Sequence, residues 1–273
     1  MFKVRLMSGI VLVLLAIGVL YAGGYVTGVA ILLLSLGGVL EMLRIYKLHN
    51  RLIGFVSYMA TIAYYLLLFF DRRDAILPMM IGFVLLVLAI YVIQYPTYTD
   101  KDASVVLLSF FYVSFMLSYV YELRTLAYGG ALVVMIFVCS WVNDTCAYCV
   151  GVKLGKHKMT PKLSPKKSIE GAVGGIVGAA LLFVIYTHLA INRYTDADIS
   201  LVLAAVLGAV GALVSMVGDL AASAIKRDHD IKDYGKLIPG HGGIMDRFDS
   251  VIIASPLIFW GLVLISRLGG VGL

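Results

Sequence analysis

The sequence predicts an all-α, polytopic integral membrane protein of about nine transmembrane helices, and three observations lead there. The 273 residues are 61% hydrophobic and only 14% charged, where soluble domains carry about 25% charged residues. Nine stretches are apolar over most of the roughly 20 residues that a helix needs to cross hydrocarbon. The basic residues fall mainly on one side of those stretches.

The stretches follow in order. The first, 7–22, is short and comes after Lys3 and Arg5, as a signal peptide would. No small-residue cleavage site leads from it to a soluble domain, and the next stretch starts at 25, so it reads as a retained helix. Stretches 25–43, 52–70, 76–95 and 104–121 follow with short connections. Glu41 is the main acid inside them and is expected near a helix end, where it reaches water. Four more stretches, 126–143, 171–190, 199–220 and 251–266, are separated by two long polar segments, 144–170 and 219–250. The chain therefore divides into an N-terminal set of about five spans, 1–125, and a C-terminal region, 126–273, that holds almost all the organised polarity and in which any catalytic residues are expected.

Charge sets the expected orientation. With the N-terminus in the cytoplasm, the cytoplasmic segments hold Lys3, Arg5, Arg44, Lys47, Arg51, Lys101, the lysines from 153 to 167, and Lys226, Arg227, Lys232, Lys236 and Arg247. The other side keeps only Arg72, Arg73, Arg124, Arg193 and Arg267. This is the positive-inside pattern for an N-in, C-out chain. The net charge of +6 is then orientation and attraction to anionic lipid, not a nucleic-acid footprint. Cys146 and Cys149 form a C-x-x-C, but with no second pair and no βαβ context they read as packed small residues, as does Cys139. Small-residue patterns at Gly171, Gly174, Gly175 and Gly178, and at Gly208 and Gly211, permit close helix packing and allow a homodimer.

The chemistry concentrates in the two polar segments, which the topology puts on the same side. Asp144 and Asp219 fall at helix ends, where an acid either snorkels into water or serves a function. Asp246 and Asp249, three apart before the last apolar run, share a helix face if helix has begun by Asp246; one of them is explained by capping, two less well. Asp219, Asp246 and Asp249 offer the all-oxygen environment that Mg²⁺ prefers, with substrate phosphates completing the shell, and two such ions can clamp a displacement at phosphorus. Lys156, Lys158, Lys166 and Lys167 form either a phosphate trap or a lipid-headgroup patch, and Ser164-Pro165 predicts a turn. Pro239-Gly240-His241-Gly242-Gly243 exposes backbone amides that suit an anion.

The run Ser223–Asp249 resembles the signature of the phosphatidate cytidylyltransferases, or CDP-diacylglycerol synthases. Ser223, Lys226, Arg227, Lys232, Asp233, Gly235, Pro239, His241, Gly242, Gly243, Asp246, Arg247 and Asp249 fill its fixed positions. Upstream, Asp144, Tyr148, Gly151, Gly155, Lys156, Lys158, Pro161, Ser164, Pro165, Lys167, Ser168, Glu170 and Gly171 also resemble that family. The likeness covers about 140–250; the first half matches only as a run of spans.

The resemblance implies Mg²⁺-dependent transfer of CMP from CTP to phosphatidic acid, giving CDP-diacylglycerol and pyrophosphate, in a bacterial-type inner membrane with the active site facing the cytoplasm. Asp219, Asp246, Asp249, Lys167 and Arg247 are then expected to be catalytic. Asp144, Asp219, Asp246 and Asp249 are expected to hold metal, with more than one cation bound. Ser164, Lys167, Ser168, Ser223, Lys226, Arg227, His241, Gly242 and Gly243 are expected to contact substrate. The rival readings are a cation transporter, a CTP-dependent lipid kinase that releases CDP, and a non-catalytic lipid-binding scaffold. The acids cluster on one face, which argues against a transport path.

Overall fold

The structure, a computed structural model, describes residues 2–238, 240 and 242–269. Its helical segments run in the order α1 (Phe2–Ala22), α2 (Gly24–Ile45), α3 (Leu52–Phe69), α4 (Arg73–Ile93), α5 (Asp100–Thr125), α6 (Gly129–Leu154), α7 (Ile169–Tyr194), α8 (Leu201–Asp228) and α9 (Met245–Gly269). Among the described residues, eight helices, α2 to α9, are long and apolar enough to cross a membrane, and α1 adds the shorter apolar run Gly9–Ala22. The chain is thus an all-α polytopic membrane protein. The one departure is a short antiparallel hairpin, β1 (Lys158–Thr160) with β2 (Ser164–Ser168).

Two helices outlast their apolar stretches. α6 continues to Leu154 and α8 to Asp228. Much of the expected loops 144–170 and 219–250 is therefore helix, and the irregular parts begin at about 155 and 229. Hydropathy ends a span where polarity begins, but a helix keeps making its own backbone hydrogen bonds past that point. Asp219 consequently lies about two and a half turns before the end of α8. α6 widens into a π turn at Val138–Val142, directly before Asn143 and Asp144; such turns often adjoin functional residues.

Contacts divide the chain into two units: residues up to Tyr121 with Asp233–Arg247, and Glu122–Lys232 with the chain from Phe248. In the first unit, α2, α3 and α5 are tied by buried hydroxyl pairs: Ser35 with Tyr65 (2.8 Å), Ser57 with Ser109 (2.9 Å), Thr61 with Ser114 (2.7 Å) and Tyr64 with Ser118 (3.0 Å). Such pairs satisfy polar side chains that lipid cannot. Aromatic rings fill the space between, with Phe110 meeting Phe83 at 4.9 Å and Tyr64 at 5.8 Å between centroids.

In the second unit the glycine stripe of α7 packs on α6. A methyl at Gly174 would meet Val150 at 2.5 Å, one at Gly175 would meet the side-chain oxygen of Asn143 at 2.4 Å, and one at Gly178 would meet the Cys146 sulfur at 2.5 Å. Gly211 of α8 makes the same kind of room for Cys139, at 2.6 Å. The three cysteines are free thiols. Two of them lie against glycines, as small packed residues do.

Candidate active site

The hairpin organises the first polar segment. β1 and β2 pair with Lys158 opposite Ser168 and Thr160 opposite Ser164, and the turn falls at residues 161–163. The turn expected at Ser164-Pro165 is thus displaced toward the N-terminus. Pro165 sits within β2, where a two-stranded ribbon has an unpaired edge that does not need its missing N–H. Glu170 holds the start of the segment: its carboxylate accepts from the backbone N–H groups of Lys156 (3.1 Å) and His157 (3.2 Å) and pairs with His157 Nδ1 (2.6 Å). Ser168 caps α7, its hydroxyl accepting from Gly171 N–H at 3.1 Å. Gly151 and Gly155 close over that hydroxyl; a methyl on Gly155 would sit 2.6 Å from it. Ser168 is buried where it makes this cap, whereas Ser164 is half-buried at the other end of β2.

That arrangement delivers Lys167, the penultimate residue of β2, to α8. Its ammonium donates a very short hydrogen bond to Oδ2 of Asp219, and both side chains are about three-quarters buried. The other carboxylate oxygen faces the Ser223 hydroxyl one turn along, at 3.4 Å. Arg227, a further turn on and exposed, directs Nε at the carbonyl of Leu163 in the hairpin turn, at 3.5 Å.

Asp249 lies behind this pair. It is 9% exposed and within electrostatic reach of Asp219, Lys226 and Asp144. One of its oxygens accepts from the Ser250 N–H at 2.7 Å. α8 approaches it closely: a methyl on Gly218 would sit 2.8 Å from the Asp249 carbonyl oxygen. The acids are graded, with Asp144 exposed, Asp219 half-buried and Asp249 buried.

Three buried polar side chains accompany them without a hydrogen-bond partner among the described residues: Asn143 beside Asp144, Ser215 one turn before Asp219, and Ser250 beside Asp249. The sequence reading passed over all three. Only their position next to an acid could have drawn attention to them.

The part of the second polar segment from Asp233 to Arg247 is built within the first unit. Asp246, in the first turn of α9, uses Oδ2 to accept from Tyr234 N–H (2.7 Å) and Gly243 N–H (2.9 Å), tying the two ends of residues 234–246 together. Gly242 takes a left-handed backbone, φ +85°, and a methyl there would meet Asp246 Oδ2 at 2.7 Å. Both glycine requirements come from this turn. Arg247 is exposed beside it. His241 lies outside the described residues.

Glu41 corrects an expectation. It does not reach water: it is 4% exposed, and its carboxylate accepts from the backbone N–H groups of Ile244 (3.0 Å) and Met245 (2.9 Å). The signal was present as an acid enclosed between Leu40 and Met42. An acid in an apolar span is expensive and marks a function by default.

Whether these groups suit a divalent cation can be judged from the donors. Among the described residues no three Asp, Glu, His or Cys side chains converge into a ready-made metal-binding group. Within the second unit Asp249 has two acids, Asp219 and Asp144, and the base Lys226 in electrostatic reach, and Lys167 pairs with Asp219. Buried negative charge needs compensation, and the orphaned amide and hydroxyls need a partner such as water or an ion. The chemistry fits a hard cation whose shell is completed by substrate oxygens.

The chain is similar to known proteins over almost its whole length. The family model described as "Cytidylyltransferase family" matches residues 3–265. A Bacillus subtilis protein named phosphatidate cytidylyltransferase is 31% identical over 272 residues, covering 97% of this chain and 98% of that one. A Staphylococcus epidermidis protein of the same name is 32% identical, covering 94% and 97%. One from Thermotoga maritima is 30% identical, covering 77% and 87%. On a match that runs through almost every span as well as both polar segments, the chain belongs to the cytidylyltransferase family.

Proposed function

We propose that the acids and bases around Asp219 form the reaction centre of a CTP:phosphatidate cytidylyltransferase. The enzyme transfers CMP from CTP to phosphatidic acid and yields CDP-diacylglycerol and pyrophosphate. The observation that carries the site is the Lys167–Asp219 pair with Asp249 buried behind it. It puts a carboxylate of the kind that suits a cation beside an ammonium of the kind that suits phosphate, at the junction of a polar hairpin and a membrane helix.

A phosphate oxygen of phosphatidic acid attacks the α-phosphorus of CTP in line, the bond to the β-phosphate oxygen breaks, and pyrophosphate leaves. The attacking group is already an anion, so no strong base is required. Rate comes from positioning and from neutralising charge. Asp219 and Asp249 are the proposed holders of Mg²⁺, with Asp144 at the rim; Asp246 is retained in the set by helix spacing alone. When bound, Mg²⁺ would neutralise phosphate charge and orient the triphosphate. Lys167, exchanging Asp219 for a phosphate oxygen, neutralises substrate charge. Arg227, Lys226 and Arg247 supply further positive charge, and Ser164, Ser223, His241 and the Gly242-Gly243 backbone are proposed contacts to nucleotide or phosphate. Ser168 acts through its cap, holding Lys167 in place.

The protein is integral to the membrane. The distribution of lysine and arginine supports an N-in, C-out chain in the inner membrane with this centre facing the cytoplasm. The glycines of α7 are taken up against α6 of the same chain, so a homodimer would use other surfaces.

The test is purified protein in detergent with labelled CTP, phosphatidic acid and Mg²⁺, beside Asp219→Asn. Labelled CDP-diacylglycerol with pyrophosphate released, lost in the variant, is expected. Release of CDP with a phosphorylated lipid would replace this reading with a lipid kinase. No labelled lipid from folded, CTP-binding protein would overturn it.

A further inference from the structure

The first unit holds about half of the signature segment, residues 233–247. Its α2 is shaped for that purpose. Glu41 offers one oxygen to Ile244 N–H and the other to Met245 N–H. These are among the first amides of α9, which have no partner within their own helix. One turn earlier on the same face of α2, Gly37 and Gly38 leave room for the side chains: a methyl on Gly37 would lie 2.3 Å from Ile244 Cδ1, and one on Gly38 would lie 3.3 Å from Met245 Sδ. From the other side, methyls on Gly235 or Gly243 would each sit 2.3 Å from Glu41 Oε1. The carboxylate is enclosed on the loop side by backbone that only glycine permits.

A carboxylate at 4% exposure inside an apolar helix is costly. For holding a loop down, apolar contact would suffice. What a bidentate acceptor adds is direction: two amides, one per oxygen, fix where the loop ends and where α9 begins. Asp246 ties Tyr234 and Gly243 together, and Glu41 fastens that closed loop to α2. Arg247 and the exposed Gly240 then leave a frame whose two ends are both determined.

We infer that Glu41 is a positioning residue for cytidylyl transfer, setting the geometry of residues 233–247 through the amides of Ile244 and Met245. The inference rests on the proposed role of that segment in holding substrate. Glutamine at 41 keeps the volume but faces one amide donor with another donor, so one of the two bonds is lost.

The experiment compares wild type, Glu41→Gln and Glu41→Ala in detergent, measuring amide hydrogen exchange across 243–246, thermal stability, and kcat and KM for CTP. The expected result for Glu41→Gln is faster exchange there and a roughly tenfold lower kcat at near-native stability, with a larger loss for Glu41→Ala. Unchanged exchange would overturn the inference, and so would faster exchange with native kcat. If Glu41→Gln does not assemble, Gly235→Ala, whose methyl presses on the same carboxylate, is read in its place. Lys167→Met in the same assay separates the two readings: a wild type with no activity for Lys167→Met to lose refutes the function, while the exchange data still judge the placement of Glu41.

Discussion

Lys167, on a polar hairpin, gives its ammonium to Asp219, on a membrane helix, across 52 residues of sequence. The lysine stands where a cation belongs, next to the carboxylate proposed to hold one. A cation bound at Asp219 would move the ammonium toward the incoming phosphate. Lys167→Met removes a competitor for Asp219 and a neutraliser of substrate at once. Less Mg²⁺ should be needed for half-maximal rate, while kcat falls about 100-fold. A magnesium titration of CDP-diacylglycerol formation reads both, and an unchanged half-saturation point would disconnect the pair from the metal.

Asp249 separates a folding role from a working one. It is buried among like charges, with Asp219 and Asp144 in electrostatic reach. A buried carboxylate that lacks a bound cation would oppose the folded state. Asp249→Asn should raise stability in chelator by about 1 kcal/mol and abolish transfer. It should also erase the stabilisation that Mg²⁺ gives to wild type. Thermal melts in detergent with chelator and with Mg²⁺ check this; a destabilised variant would make Asp249 a structural residue.

The sequence made the spans legible because lipid imposes one simple requirement, a long apolar helix. The acids were legible because charge is rare in such a chain. Other features were hidden for physical reasons. Hydropathy cannot see a helix continuing through polar residues, so Asp219 and Asp144 read as helix ends although α8 and α6 run on. Turn chemistry at Ser164-Pro165 was outweighed by strand pairing, in which Pro165 needs no partner. Glu41 looked like an acid reaching for water because its partners, the amides of Ile244 and Met245, lie about 200 residues away and carry no side-chain signal. The cap made by Ser168 was hidden because a capping serine and a binding serine are the same residue in different company.

The glycines of the membrane helices are not interchangeable, and the structure ranks them. Gly175→Ala drives a methyl onto the Asn143 carboxamide at 2.4 Å and its backbone carbonyl at 2.9 Å, neither of which yields easily. A loss of about 1–3 kcal/mol is expected. Gly82 of α4 has nothing within 4 Å of an added methyl, so Gly82→Ala should be neutral or stabilise by up to about 1 kcal/mol through helix propensity. Detergent melting temperatures of the two variants should move apart; equal shifts would refute the α6–α7 packing.

Ser168 and Glu170 test how Lys167 is aimed. Ser168 closes the first turn of α7 and ends the strand that carries Lys167, while Glu170 ties down the backbone at Lys156 and His157. Neither touches Asp219, so both act through the hairpin. Ser168→Ala removes the cap and should cost about 1 kcal/mol of stability. Glu170→Gln keeps the size but weakens acceptance from two amides and the His157 ring, so trypsin should reach Lys156 and Lys158 sooner. Both variants should lower kcat together with that loosening, because a lysine that wanders no longer meets the phosphate in one geometry. Added CTP and Mg²⁺ should restore protease resistance in wild type more than in Glu170→Gln. Rapid cleavage in Glu170→Gln with native kcat would mean that Lys167 finds its place without the hairpin.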